Sequence, residues 1–449
     1  MLQWSRQRRA DQFRGLLLQP RRHGRASSTC FRSPRCFTTI FLPFAFCYFL
    51  SYVFRTINGP LADELDRHFS LSADSLGIIT SAYFLAFALS AIPIGVALDA
   101  FGPRLVQGWL MTVAAIGASV FAVASSPLLL FLGRFLIGIG TAGGLMAGLK
   151  AHALWVSRGR LPLANGALVM FGGLGAIATS LPIEPTEPTL SWRGTFVALA
   201  LISLVIAALI LTLVPRSAAT DPEQRRVGAP NGLTGAIRDR CFVRIAPLSA
   251  SVVGTVFAVH GLWAARWLTD VEGLPPAEVL YGLFAMGVGL TFGALLIGLA
   301  DTRLSRVGVN QLRIFGGFCL AFIALQALVL AHVGLPVPLL WGLIGAFGGM
   351  CVLSYSILDS VFSPALVGRA NSALNVFHLT TAWAVQAAMG HVIAQWSADP
   401  SGHYPLAAYR AAFTLPLGLQ IIAFIWYVAC ARIGARARFP VHHATTDVP

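Results

Sequence analysis

Gly95-Val96-Ala97-Leu98-Asp99-Ala100-Phe101-Gly102-Pro103-Arg104 lies between two long apolar stretches, and its reading decides the fold. Gly95, Asp99, Gly102 and Arg104 together make a tight polar joint between two hydrophobic helices. Glycine permits the backbone angles that a sharp turn needs. Asp99 can accept from the N-terminus of a neighbouring helix and pair with Arg104, so the joint can act as a latch whose release lets helices rock. The flanking stretches, near 76–97 and 106–124, are each long enough to cross a bilayer.

The same pattern extends in both directions. Of 449 residues, 56% are hydrophobic and 11% charged, whereas soluble domains carry about 25% charged residues. The chain therefore reads as an all-α membrane protein. Apolar runs of roughly 20 residues fall at 37–58, 76–97, 106–124, 127–156, 163–183, 192–214, 244–268, 278–300, 311–332, 336–358, 371–394 and 408–431. These are spans 1 to 12.

The net charge of +14 does not point to nucleic acid. With the spans alternating across a bilayer, 25 of the 31 Arg fall on one side, and only Arg55, Arg67, Arg134, Arg193, Arg266 and Arg410 lie elsewhere. Excess basic residues mark the cytoplasmic side. Both termini and the 95–104 joint are expected there, with the protein in the cytoplasmic (inner) membrane. The lipid bilayer is the expected partner, with anionic lipid a secondary attraction. Residues 1–36 read as a basic cytoplasmic tail without the apolar core of a secretory signal, and 432–449 as a second tail. The seven Cys lack metal-ligand spacing, so neither metal nor cofactor is expected.

The only long polar interruption, 215–243, has a linker's composition and divides the chain into halves 37–214 and 244–431. The halves echo each other. Ala164-Asn165-Gly166-Ala167-Leu168 opens span 5, and Ala370-Asn371-Ser372-Ala373-Leu374 opens span 11. Trp192-Arg193 is answered by Tyr409-Arg410, and Gly298-Leu299-Ala300-Asp301-Thr302-Arg303 is a worn copy of the latch joint.

The 95–104 joint resembles the helix 2–3 loop of the major facilitator superfamily, G-x-x-x-D-R-x-G-R-[RK], with Ala100 and Pro103 standing where that pattern has Arg. Arg134-x-x-x-Gly138-x-Gly140 in span 4 is similar to the family's R-x-x-x-G-x-G signature. The resemblance implies twelve transmembrane helices in two pseudo-symmetric six-helix halves, with a substrate site at mid-membrane between them. It implies a conformational latch at Gly95, Asp99, Gly102 and Arg104, echoed at Asp301. It also implies that Arg134 is structural, bonding within its own half, with a proton relay as the alternative.

Ionisable groups at membrane depth are functional candidates by default. Tyr52-Val53-Phe54-Arg55-Thr56-Ile57-Asn58 resembles helix 1 of the organophosphate antiporter branch, which implies that Arg55 grips an anion. Span 7 has apolar residues where that branch carries a second Arg, so the resemblance does not extend to paired-arginine phosphate binding. Nitrate porters of the superfamily use Arg on helices 2 and 8, and neither 76–97 nor 278–300 holds a basic residue. Lys150 is the one Lys of the chain and lies in span 4. It reads either as a substrate or proton contact, or as a lysine snorkelling to the interface.

Acidic residues fall in loops or near helix ends, with Glu184 and Asp359 closest to the interior. A cationic substrate would meet no answering charge. The cavity wall is expected to be aromatic and amidic: Tyr48, Tyr52, Asn58, Tyr83, His260, Trp263, Tyr355, Asn375 and His378. Asn371, Asn375 and His378 share one helical face, which substrate contact and helix–helix hydrogen bonding explain equally well.

These features favour a secondary transporter moving a small organic anion by alternating access, as a monomer. Proton coupling, where present, falls to His260, His378, Lys150 or the substrate. Efflux of a neutral or amphiphilic compound is the alternative within transport. A transport-inactive sensor on the same fold is the alternative outside it. No metalloprotease, hydrolase or paired-carboxylate motif supports an enzyme.

Overall fold

The computed structural model describes residues 37–157, 160–181, 191–216, 231–349, 351–362 and 364–436. The expected N-terminal tail, residues 217–230 of the 215–243 linker, Glu184 and the last residues of the C-terminal tail lie outside these. Among the described residues every regular element is helical. That follows from the solvent: hydrocarbon satisfies no backbone polar group, so each span must close its own hydrogen bonds.

Among the described residues nine helices are long and apolar enough to cross a membrane. One of them, Ala73–Ala122, contains spans 2 and 3 joined at Gly102, where φ 80° and ψ 164° break the helix. The expected loop is therefore a single-residue break between two nearly continuous helices. A left-handed φ there is inexpensive only for glycine. Leu161–Ala178 supplies span 5 and Pro364–Ile393 span 11, which brings the total to twelve.

Span 10 falls into two segments, Val337–Gly348 and Cys351–Val361, and three further spans are interrupted. Span 1 opens with a π-helical turn, Phe37–Phe41, continues as Leu42–Thr56, and after Ile57 resumes as Asn58–Phe69, eleven residues past its expected end. Span 4 is Pro127–Thr141 followed by Gly144–Trp155. Span 7 runs Arg240–Ala258, a π-helical turn Val259–Trp263, then Ala264–Asp270. Such π turns widen the helix locally and recur at functional sites.

Within the first half, spans 2 and 3 pack on spans 4 and 6, and span 1 on span 5. In the second half span 8 packs on span 10, and span 7 on spans 11 and 12. Span 1 packs on span 7 across the halves, which also meet along two pairs, span 2 with span 11 and span 5 with span 8. These pairs exchange under the six-helix repeat. The span 4 signature explains its own packing: a side chain on Gly138 would collide with the Tyr83 backbone carbonyl, and one on Gly140 with the Ala114 backbone. Large apolar side chains such as Leu89, Val96, Trp109, Leu295 and Ile422 cover the exposed flanks, as lipid contact requires.

Candidate functional site

Arg55 sits near the end of the first helical segment of span 1, just before the Ile57 break, and is 8% exposed. Its guanidinium carbon lies 4.5 Å from the ring centres of both Tyr52 and Phe257, 5.7 Å from Phe87 and 6.0 Å from Tyr83. Phe257 belongs to span 7, so this cage closes across the two halves. Nε is buried without a hydrogen-bond partner, and among the described residues no carboxylate pairs with Arg55. Ring faces attract a cation, yet they leave its net charge uncompensated in a medium where an isolated charge is expensive. Phe257 was not among the sequence candidates. Nothing in a run of apolar residues marks which one faces a cation.

Above Arg55 the halves are fastened together. Arg266 donates from Nη1 to Asp63 (2.9 Å) and from Nη2 to Asp66 (2.5 Å), both on the extension of span 1. Asp270 lies 4.0 Å from Arg266 and accepts from the Tyr409 hydroxyl and the Tyr404 backbone. Tyr404 in turn accepts from the Ala73 backbone, His391 lies 3.4 Å from Asp74, and Gln386 donates to Thr80 over 2.6 Å. This is the Arg266 end of the bundle, and it is closed. The sequence reading placed Arg266 only as an outer residue; an i, i+3 pair of Asp on an amphipathic extension was the available signal.

The π turn of span 7 lies against the cage. A side chain on Gly261 would meet the Arg55 carbonyl at 3.4 Å, and Gly59 faces the carbonyls of His260 and Gly261. His260 is 3% exposed, with Nε2 unpartnered among the described residues. Trp263 donates to the Gln386 carbonyl, and Asn58 is buried with Oδ1 unpartnered. Tyr83 is engaged within its own half: its hydroxyl donates to the Ser51 carbonyl and accepts from Thr141.

The polar stripe of span 11 reaches spans 7 and 10. His378 Nε2 lies 2.8 Å from Ser249 Oγ, which also meets Ser354. The Tyr355 hydroxyl lies 3.4 Å from His378 Nδ1 and 3.5 Å from Asn375 Oδ1, and Asn371 donates to Asp359. Helix–helix hydrogen bonding accounts for much of this stripe. Tyr355 and Asn375 remain half-buried, and Tyr355 stands within electrostatic reach of Tyr48 in the other half.

Two expectations are corrected. Asp99 pairs with Lys150 rather than with Arg104: Lys150 Nζ lies 2.5 Å from Asp99 Oδ1 and 2.8 Å from the Leu98 carbonyl. Arg104 instead donates to the Leu211 carbonyl at the end of span 6. Lys150 is thus tied to the joint and away from the Arg55 cage, because helix 144–155 brings its last turns beside the end of span 2. In the second half Asp301 meets Gln311, which bridges to Ser356. Ser356 is the repeat counterpart of Lys150, so a neutral bridge replaces the ion pair. A side chain on Gly95 would meet nothing within 4 Å, so packing does not demand glycine there. Arg134 donates to the Phe54 carbonyl within its own half and lies over the Phe121 and Phe196 rings.

Residues 44–387 match the family model described as Major Facilitator Superfamily. The chain belongs to this superfamily. Among curated members it is 27% identical over 157 residues to the probable sulfoacetate transporter SauU of Cupriavidus necator, covering 35% of this chain and 36% of that protein. It is 27% identical over 259 residues to the gentisate transporter of Corynebacterium glutamicum, covering 55% and 57%. The match thus spans between a third and three-fifths of these relatives. Among solved structures, a bacterial homolog of the human lysosomal transporter Spinster, inward-facing and unoccupied, superposes with TM-score 0.70 at 18% identity, covering 92% of this chain and all of that one. That likeness extends the superfamily fold over both halves. This superfamily member is therefore an integral membrane protein of a transporter family.

Proposed function

We propose that this chain is a secondary transporter that carries a small organic anion by alternating access, with Arg55 as the anion contact. The observation that carries the reading is a buried guanidinium held between two rings from opposite halves, with no carboxylate paired to it among the described residues. A buried lone cation is costly in the empty protein, and an anion arriving between the halves removes that cost. The names of the relatives above, for sulfoacetate and gentisate, agree with an anionic cargo. Halves 37–214 and 244–431 are the moving bodies. The Arg266 contacts form the outer gate, and the Gly102 end with both termini faces the cytoplasm of the inner membrane. Lys150 belongs to the latch in this reading, while Tyr52, Tyr355, Asn375 and His378 line the path.

Uptake of radiolabelled organic anions into proteoliposomes tests the proposal. Flux driven by a pH gradient or by counter-substrate, lost in Arg55→Gln, is the expected result. Equal flux in wild type and Arg55→Gln removes Arg55 from the mechanism. Absence of any anion flux, with an amphiphilic neutral compound exported instead, replaces the reading with efflux.

A further inference from the structure

We infer that the cargo is a singly charged anion with a flat, ring-sized apolar body and a hydrogen-bonding group opposite its carboxylate or sulfonate. This rests on the reading of Arg55 as the anion contact and adds the charge, shape and polarity of the ligand.

The charge follows from how the buried cations are engaged. Arg266 is offset by Asp63, Asp66 and Asp270, and Lys150 by Asp99. Arg134 is 1% exposed, enclosed by Phe121 and Phe196 behind the Phe54 carbonyl, and does not reach an incoming ligand. Arg55 therefore answers one negative charge. A dianion would bring a second into a region of low dielectric, where an unpaired charge is strongly disfavoured.

The shape follows from the walls. Tyr52 and Phe257 flank the guanidinium, Phe84 stacks on Phe257 with an interplanar angle of 3°, and Tyr48 meets Tyr52 edge-on at 5.2 Å. Aromatic walls favour offset or edge contact with another flat apolar group over a branched aliphatic or a heavily hydrated one.

The far end is also polar. Tyr48 precedes Arg55 by seven residues, about 10 Å along the helix, on the face it shares with Tyr52, and stands within electrostatic reach of Tyr355. Asn375 accepts from Tyr355 through Oδ1, while its Nδ2 has no hydrogen-bond partner among the described residues. Ser249 and His378 hold this corner in place. The roughly 10 Å of helix between Arg55 and Tyr48 suits one ring, its two polar substituents and their hydrogen bonds.

The test is calorimetric binding of benzoate, 4-hydroxybenzoate, acetate, phthalate and glycerol 3-phosphate to purified full-length protein in nanodiscs. The expected order is 4-hydroxybenzoate, then benzoate, then acetate, with the two dianions weakest, and every signal lost in Arg55→Gln. Tyr355→Phe and Asn375→Leu are expected to weaken 4-hydroxybenzoate about tenfold more than benzoate, since a site built to bond a hydroxyl discriminates through it. Arg55-dependent binding of phthalate or glycerol 3-phosphate as tight as that of benzoate overturns the inference and leaves the transport proposal standing. Equal loss of both benzoates in Tyr355→Phe and Asn375→Leu overturns the polar-end assignment. Absence of Arg55-dependent binding by any of the five refutes this inference, and with null flux in the proteoliposome assay it refutes the transport reading too.

Discussion

Replacing Arg266 with Gln should open the end of the bundle that it closes. Arg266 makes two ion pairs across the halves, its own side chain 7% exposed and its partners Asp66 and Asp63 20% and 42% exposed. Partly exposed pairs are worth up to about 1 kcal/mol each, and Asp63 belongs at the lower end of that range. Asp270, wholly buried, keeps its Tyr409 and Tyr404 donors and loses its cation in closed and open states alike, so that loss does not move the equilibrium between them. The two pairs across the halves, about 1 kcal/mol together, are a shift of roughly fivefold in the equilibrium between closed and open states. Spin labels at the exposed positions Arg67 and Ala398, in a background without native cysteines, report that equilibrium as a distance distribution. Wild type should show one short population, and Arg266→Gln a second, longer one. Asp63→Asn with Asp66→Asn should reproduce it, and combining all three changes should add little. An unchanged distribution in Arg266→Gln would refute the assignment of these contacts as a gate.

Two further predictions concern stability and the latch. Gly138→Ala forces a methyl group against the Tyr83 carbonyl and should cost about 1–3 kcal/mol, whereas Gly95→Ala meets open space and should cost little; thermal unfolding in detergent that ranks the two variants equally would contradict the packing argument. Asp99→Asn and Lys150→Gln should produce the same change in cysteine accessibility at the Gly102 end, with no further change when combined, because each removes the same ion pair. Additive effects would mean that the two residues act separately.

The twelve spans, the division into halves and the joint at 95–104 were legible in the chain. Each is a local property: a helix in hydrocarbon needs about 20 apolar residues, and a left-handed residue needs glycine. Arg134 bonds the Phe54 carbonyl within its own half, the contact its motif implied beside a relay role. Arg55 could be singled out because a charge inside an apolar run is conspicuous wherever the run folds. What surrounds it could not. Phe257 is one apolar residue among many in span 7, and it faces Arg55 only because the second half packs against the first with that rotation. Sequence left Lys150 as either a substrate or proton contact or a snorkelling lysine, and it bonds Asp99, 51 residues earlier. Arg266 clamps Asp63 from 203 residues away. Sequence by itself determined which segments enter the membrane and which residue types they carry there, since that balance is settled helix by helix. Tertiary structure decided which of the described charges meet an opposite charge and which do not, since pairing depends on the distances that packing sets.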